Sequence, residues 1–341
     1  MRDSNFELLR IVAMFSIICY HLLSFFIFPE SNLPFYRAIQ IPLHVGVVLF
    51  VLISGYYGIR VSLRGLLKLL LPLLFFYVPV ELVVNVREHN MGGVFNSIMF
   101  ISGSPYWFVR TYIWLFLFSP VVNMYLKEIS FTRRIYLLIS LCVMAVYFGT
   151  VKGDASLEHG TNVVNFVFLY VLGNTIACYK DFFKKIKFSH IILSCLSLNI
   201  VLVLAYILFA NTIVSSVIIK TCFHYCSPIL ILNSILLFIL FDRIHFNSNA
   251  VNKFASSTFS MYIIHHIPLL LYGIIGPLTL MLCPLDNIPI TLLLLSVITI
   301  GIMVVSFVID QSFKPLFDWI ISKAVNSKYS FDKYLKKANI E

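Results

Sequence analysis

Charge is the scarcest commodity in this sequence. Only 12% of its 341 residues are Asp, Glu, Lys or Arg, roughly half the ~25% of an ordinary soluble domain. A folded chain of this size needs a broad polar skin, so a soluble enzyme and a disordered chain are both excluded. Cysteine offers no framework either: the seven (Cys19, Cys142, Cys178, Cys195, Cys222, Cys226, Cys283) are odd in number and lack any Cys-x-x-Cys pair. They read as small hydrophobes rather than a disulfide scaffold or metal ligands. No His-Glu-x-x-His, Gly-rich phosphate loop or Gly-x-Ser-x-Gly elbow occurs, so no metal site and no permanently bound cofactor are expected. There is no internal repeat and no long polar region.

What the chain has instead is apolar bulk. Hydrophobic residues make up 60%, with 32 Phe and 18 Tyr, and mean hydropathy is +0.93. Since about 20 apolar residues cross a bilayer, the sequence predicts an all-α, polytopic integral membrane bundle of about ten transmembrane helices. The expected spans are 8–28, 41–59, 65–84, 106–126, 135–151, 163–179, 188–210, 226–241, 256–282 and 288–309. The ninth contains Pro268, Gly273, Gly276 and Pro277, so a kink or re-entrant half is expected. Residues 211–227 read as a loop or a short lateral helix.

The net charge of +10 does not point to nucleic acid, because the basic residues form no single patch. With ten alternating spans, 20 of the 25 Lys/Arg fall on the side of the N-terminus; the others are Arg37, Arg87, Arg110, Lys152 and Lys220. That bias places both termini in the cytoplasm. The first span is too long for a cleavable signal and no small-x-small site follows it. The division is a transmembrane domain at 1–312 and a basic cytoplasmic tail at 313–341, whose apolar patch and lysines suit anionic headgroups.

Against this background, ionisable residues within spans stand out, since each costs about 2.5–3.5 kcal/mol on insertion scales. Arg10 and His21 are eleven residues apart, about 20° past three full turns of a helix. They share one face, with Arg10 near the cytoplasmic mouth and His21 deeper in the membrane. Glu7 is placed to pair with Arg10. Read blandly, Arg10 snorkels to headgroups and His21 is a hydrogen bonder within the bundle. In the ninth span, Thr258, Tyr262 and His265 follow an i, i+4, i+7 rhythm and share a face, while His266 turns toward a different neighbour. A polar seam between helices is the alternative to a lined cavity. Ser54-Gly55 permits close helix approach. Arg60, Arg64 and Lys68, at four-residue spacing, read as one basic ridge, fit either for topology or for an anionic partner. Pro105-Tyr106-Trp107-Phe108 with Arg110 reads as an interfacial aromatic belt, with an Arg110 turned inward toward a site as the alternative. Glu81, Glu88, Asp154 and Glu158 on the outer side read as solvated loop acids, with binding of a sugar substrate as the alternative.

The ordered set of these motifs resembles the membrane-bound acyltransferase family 3, which O-acylates bacterial surface polysaccharides. ELLRIVAMFSIICYH resembles the family's basic-x10-His pattern on Arg10 and His21, and VVLFVLISGYYGI its Ser-Gly-aromatic segment on Ser54 and Gly55. LRGLLKLLLP resembles the basic pair before a proline (Arg64, Lys68, Pro72), and YWFVRTYIWLFLFSPVVN the Trp-Phe…Pro segment (Trp107, Phe108, Pro120). TFSMYIIH resembles the late Ser-x-x-x-Tyr-x-x-His segment, with Thr258 in place of serine and Tyr262 and His265 in register. Val48 stands where an acidic residue is common, so any role of that acid is absent or moved. The chain is too short for the extra esterase-like domain of many relatives.

The resemblance implies transfer of acetyl from cytoplasmic acetyl-CoA, a donor substrate and not a resident cofactor, to a hydroxyl of a surface or lipid-linked (undecaprenyl-linked) glycan. The bacterial cytoplasmic (inner) membrane is the implied site. Arg10, Arg60, Arg64 and Lys68 are then candidates for the donor phosphates and His21 for the general base. His265, Tyr262 and Thr258 are candidates to orient the acceptor or stabilise the oxyanion. The competing reading is a membrane glycan or lipid carrier without covalent chemistry. Oligomeric state is not legible.

Overall fold

The computed structural model describes residues 3–101, 105–153 and 157–326, with the side chain of Glu158 excepted. Arg2, Asp154, the Glu158 side chain and the lysines at 328, 333, 336 and 337 lie outside them. All regular structure among the described residues is helical, as lipid demands: a helix satisfies its own backbone groups where no water can. The longer elements are α1 (Asn5–Ser31), α2 (Pro34–Tyr57) and α3 (Leu63–Arg87), α4 (Met91–Ile98) and α5 (Trp107–Glu128). There follow α6 (Phe131–Lys152), α7 (Val163–Cys178), α8 (Phe188–Leu208), α9 (Ile213–Cys222) and α10 (Pro228–Asp242). The chain continues through α11 (Asn249–Ala255), α12 (Thr258–His265), α13 (Pro268–Leu282) and α14 (Ile288–Val325).

Six of these, α1, α2, α3, α6, α8 and α14, are long and apolar enough to cross a membrane, and the bent pair α12–α13 would make a seventh. That is fewer than the ten expected. The segments 106–126, 163–179 and 226–241 are helical as α5, α7 and α10. However, α5 is diluted by Arg110, Trp114, Ser119, Pro120 and Asn123, while α7 has 16 residues and α10 has 15. At 1.5 Å per residue those two extend only about 24 Å and about 22 Å, short of a hydrocarbon core of about 30 Å. Residues 213–222 form the short helix that was one of two options. α14 runs unbroken past the expected start of the tail at 313, carrying Pro315 within it.

The chain divides into two compact units. The first comprises residues 1–57, 129–256 and 278–300. Its centre is the contact of α2 with α7, made by two glycines in reciprocal fashion. A Cβ on Gly55 would lie 2.1 Å from the Tyr170 carbonyl oxygen, and one on Gly173 would lie 2.3 Å from that of Leu52. Without a hydrophobic drive between helices in lipid, such backbone-to-backbone approach is what holds them. α8 and α10 are joined by polar groups: Asn199 donates to Asn233 Oδ1 at 2.9 Å, and Asn233 donates back to Asn199 Oδ1 at 3.0 Å. Asn233→Leu should cost about 1 kcal/mol in detergent thermal-inactivation assays, because Asn199 loses its partner. Replacing both asparagines with leucine should recover part of that loss.

At the start of α1 the chain is tied to the segment before α11. Ser4 N donates to Phe246 O at 2.9 Å, Ser248 N donates to Ser4 Oγ at 2.9 Å, and Asp3 meets His245 Nδ1 at 2.6 Å. The His245 side chain holds the Asp3 carboxyl below its ordinary value of 3.8.

The second unit comprises residues 58–128, 257–277 and 301–341. Its packing is aromatic: Phe75 and Phe76 of α3 meet Phe313 and Phe317 of α14 at centroid distances of 5.3–6.3 Å. α12 ends at His265, and the chain turns through 66° before α13. The expected kink is here because Pro268 cannot continue the helix hydrogen-bond ladder and disfavours α geometry before it.

Candidate functional site

In the first unit, α1 carries the Arg10–His21 pair. α1 is regular α-helix from Asn5 to Leu22, and the wider π-type turns begin only at Leu23. The 3.6-residue register between the two side chains is therefore undisturbed, and they share a face as the spacing requires. Arg10 Nη1 reaches both carboxylate oxygens of Glu7, at 3.2 and 3.1 Å. Glu7 is buried while Arg10 keeps 29% of its side chain exposed, so the acid holds the guanidinium at the helix surface without removing it from reach. His21 is half-buried and stacks on Phe25, one helical turn on, at 5.2 Å and 14°. Tyr20 lies 5.9 Å from it and 4.7 Å from His44, which in turn stacks on Tyr225 at 4.4 Å. His44 was not singled out from the sequence; a single histidine before the Ser-Gly segment carried no spacing signal.

In the second unit, α12 presents Thr258, Tyr262 and His265 as predicted, each buried at 5% exposure or less. His265 Nδ1 lies 2.8 Å from the Met261 carbonyl oxygen. A carbonyl only accepts, so Nδ1 carries the proton, and in the neutral ring the lone pair is on Nε2. His266 stacks against His265 at 5.7 Å and meets Tyr106 edge-on at 5.7 Å.

Two expectations change. Tyr106 is no interfacial belt residue: it is fully buried, donates its hydroxyl to the Ile263 carbonyl at 2.7 Å, and packs edge-on against Tyr262 at 5.7 Å. The sequence placed it beside Trp107 at a helix start, where aromatic belts are common; its long-range partner was invisible. The basic ridge loses a member. Arg64 and Lys68 lie one turn apart on α3, both exposed, but Arg60 precedes the helix. Gly58 adopts a positive φ of 74°, and Ser62 caps α3 by accepting from Gly65 N at 3.0 Å, so residues 58–62 cannot continue the helical spacing.

Two serines and an acid also escaped notice. Asp310 of α14, buried, accepts from Ser257 Oγ at 2.6 Å and from Ser260 Oγ. Gln311 Nε2 donates to Ser257 Oγ at 2.9 Å. A carboxylate fifty residues downstream offered no spacing clue. Among the described residues no group of His, Cys, Asp or Glu is arranged to hold a metal ion, and all seven cysteines are free.

Several long apolar helices with a few ionisable groups on their faces define a multi-pass membrane protein with polar chemistry confined to selected positions. The acyltransferase-domain family model matches residues 3–310, nearly all of the chain. The chain therefore belongs to acyltransferase family 3 and is a membrane acyltransferase. Comparison with curated proteins and with solved structures returned no match.

Proposed function

We propose that the protein is an O-acyltransferase of the bacterial cytoplasmic membrane, moving acetyl from cytoplasmic acetyl-CoA to a hydroxyl of a surface or lipid-linked glycan. The grouping of Lys and Arg between the apolar runs supports a basic membrane face on the side of the donor. The observation that carries the reading is the orientation of His265: in an acyltransferase-family chain, a buried imidazole is held by its own helix with the basic nitrogen directed away from that bond. With its Nδ1 proton held by the Met261 carbonyl, the neutral ring does not donate through Nδ1 to an oxyanion, so oxyanion stabilisation falls to the hydroxyls of Tyr262 and Thr258. His21 takes the acceptor proton as general base. Arg64 and Lys68 bind the donor phosphates, with Arg10 and Arg60 as further contacts.

Membranes containing the protein, given labelled acetyl-CoA and cell-surface glycan, should release free CoA and label the glycan. A carrier would move glycan with no CoA release, and that result would sink the transferase reading. Arg64→Ala with Lys68→Ala should weaken acetyl-CoA binding about 100-fold or more, since each charge-assisted contact contributes about 1.5–3 kcal/mol. Unchanged binding would remove both from the donor site.

A further inference from the structure

α12 has only eight residues, ends in a 66° bend, and carries three of the proposed site residues. A two-turn helix has little rigidity of its own, so its axial rotation must be set from outside. On a helical wheel at about 100° per residue, Thr258, Tyr262 and His265 fall within about 60° of one another, and Ser260 lies about 200° round from Thr258. Ser260 is thus on the back of the helix, and Ser257 is its N-terminal flanking residue. The Ser257 hydroxyl makes no cap hydrogen bond to α12; it donates to Asp310, as does that of Ser260. Gln311 donates to Ser257 in turn. The order of donation is Gln311 to Ser257 to Asp310, with Ser260 closing onto the same carboxyl group. All four side chains belong to the second unit, and Asp310 is buried among them.

We infer that Asp310 is a positioning residue: held by Ser257 and Ser260, it clamps the back of α12 and fixes the rotation at which Thr258, Tyr262 and His265 face the substrate. The inference rests on the proposed role of α12 in acceptor orientation. It assigns no contact between Asp310 and the substrate. A second clamp acts at the other end of the helix, where the Tyr106 hydroxyl holds the Ile263 carbonyl.

The test uses the full-length protein in membranes at matched abundance, with acetyl-CoA as the probe and CoA release as the readout. Asp310→Asn should lower kcat about 10–100-fold, the scale of a misplaced catalytic geometry, with the KM for acetyl-CoA within about twofold of wild type. Asp310→Glu should recover most of the loss. Ser257→Ala combined with Ser260→Ala should reproduce the kcat defect, and adding Asp310→Asn should cost little more, because the three act as one unit. Should Asp310→Asn fail to accumulate, the serine pair carries the test alone. Normal kcat in Asp310→Asn and in the serine pair, alongside a large loss in His265→Ala, overturns the clamp and leaves the site reading intact. Normal kcat in His265→Ala removes the site reading, and the clamp with it.

Discussion

His21→Ala should reduce acyl transfer about 10²–10⁴-fold, the range over which a positioned general base contributes, while acetyl-CoA binding stays near wild type. The expectation follows from where the ring sits. It shares a helix face with Arg10 across three regular turns, it is half-buried rather than sealed in packing, and Phe25 holds its plane. A neutral imidazole has one basic ring nitrogen, which is what a general base requires. A histidine serving only as a hydrogen-bonded tie within the bundle would, when removed, lower protein abundance and heat resistance and leave turnover per molecule unchanged. Rates must therefore be normalised to folded protein in the membrane. Near-normal turnover per molecule in His21→Ala would sink the base assignment. Surviving activity should also lose the limb of the pH–rate profile that a titrating base produces.

Gly55→Ala should destabilise the protein by about 3 kcal/mol or more, at or above the upper end of the usual range for overpacking. The added methyl is small, but it would sit 2.1 Å from the Tyr170 carbonyl oxygen and 2.8 Å from its carbon. These are backbone atoms of α7, so relief requires shifting one helix from another rather than turning a side chain. Gly173→Ala should behave similarly from the opposite side, against Leu52. Gly301→Ala is the control: nothing lies within 4 Å of a Cβ there, and α14 should gain slightly in helix propensity. The measurement is the fraction of detergent-solubilised protein remaining folded over a temperature series. Equal curves for Gly55→Ala and Gly301→Ala would show that the α2–α7 contact is looser than its geometry.

Gly55 shows how far pattern reading reaches. That a Ser-Gly pair permits close approach was legible from residue size; that the approach is to Tyr170, and is answered by Gly173, was not. Likewise the bend after His265 was legible in Pro268, and the Glu7–Arg10 pair in its three-residue spacing. Tyr106 was misread because its local context is that of an interfacial residue, whereas its hydroxyl partner, Ile263, is 157 residues away. Arg60 was assigned to a helical ridge because four-residue spacing is a helical signal, but Gly58 and the Ser62 cap start the helix afresh. Asn199 and Asn233 did not reveal each other because a polar residue in an apolar run announces its cost without naming its partner, and Asp310 lies just past the expected end of the last span.

The sequence by itself therefore determined the solvent, the helical class and the faces within each helix. Those properties are local: lipid leaves the backbone no other hydrogen-bond partner, and 3.6 residues per turn decides which side chains align. Tertiary structure alone decided which helices touch and what holds the short helix bearing His265. Between helices in lipid the choice of neighbour rests on close fit and a few buried hydrogen bonds, and both depend on residues scores of positions apart.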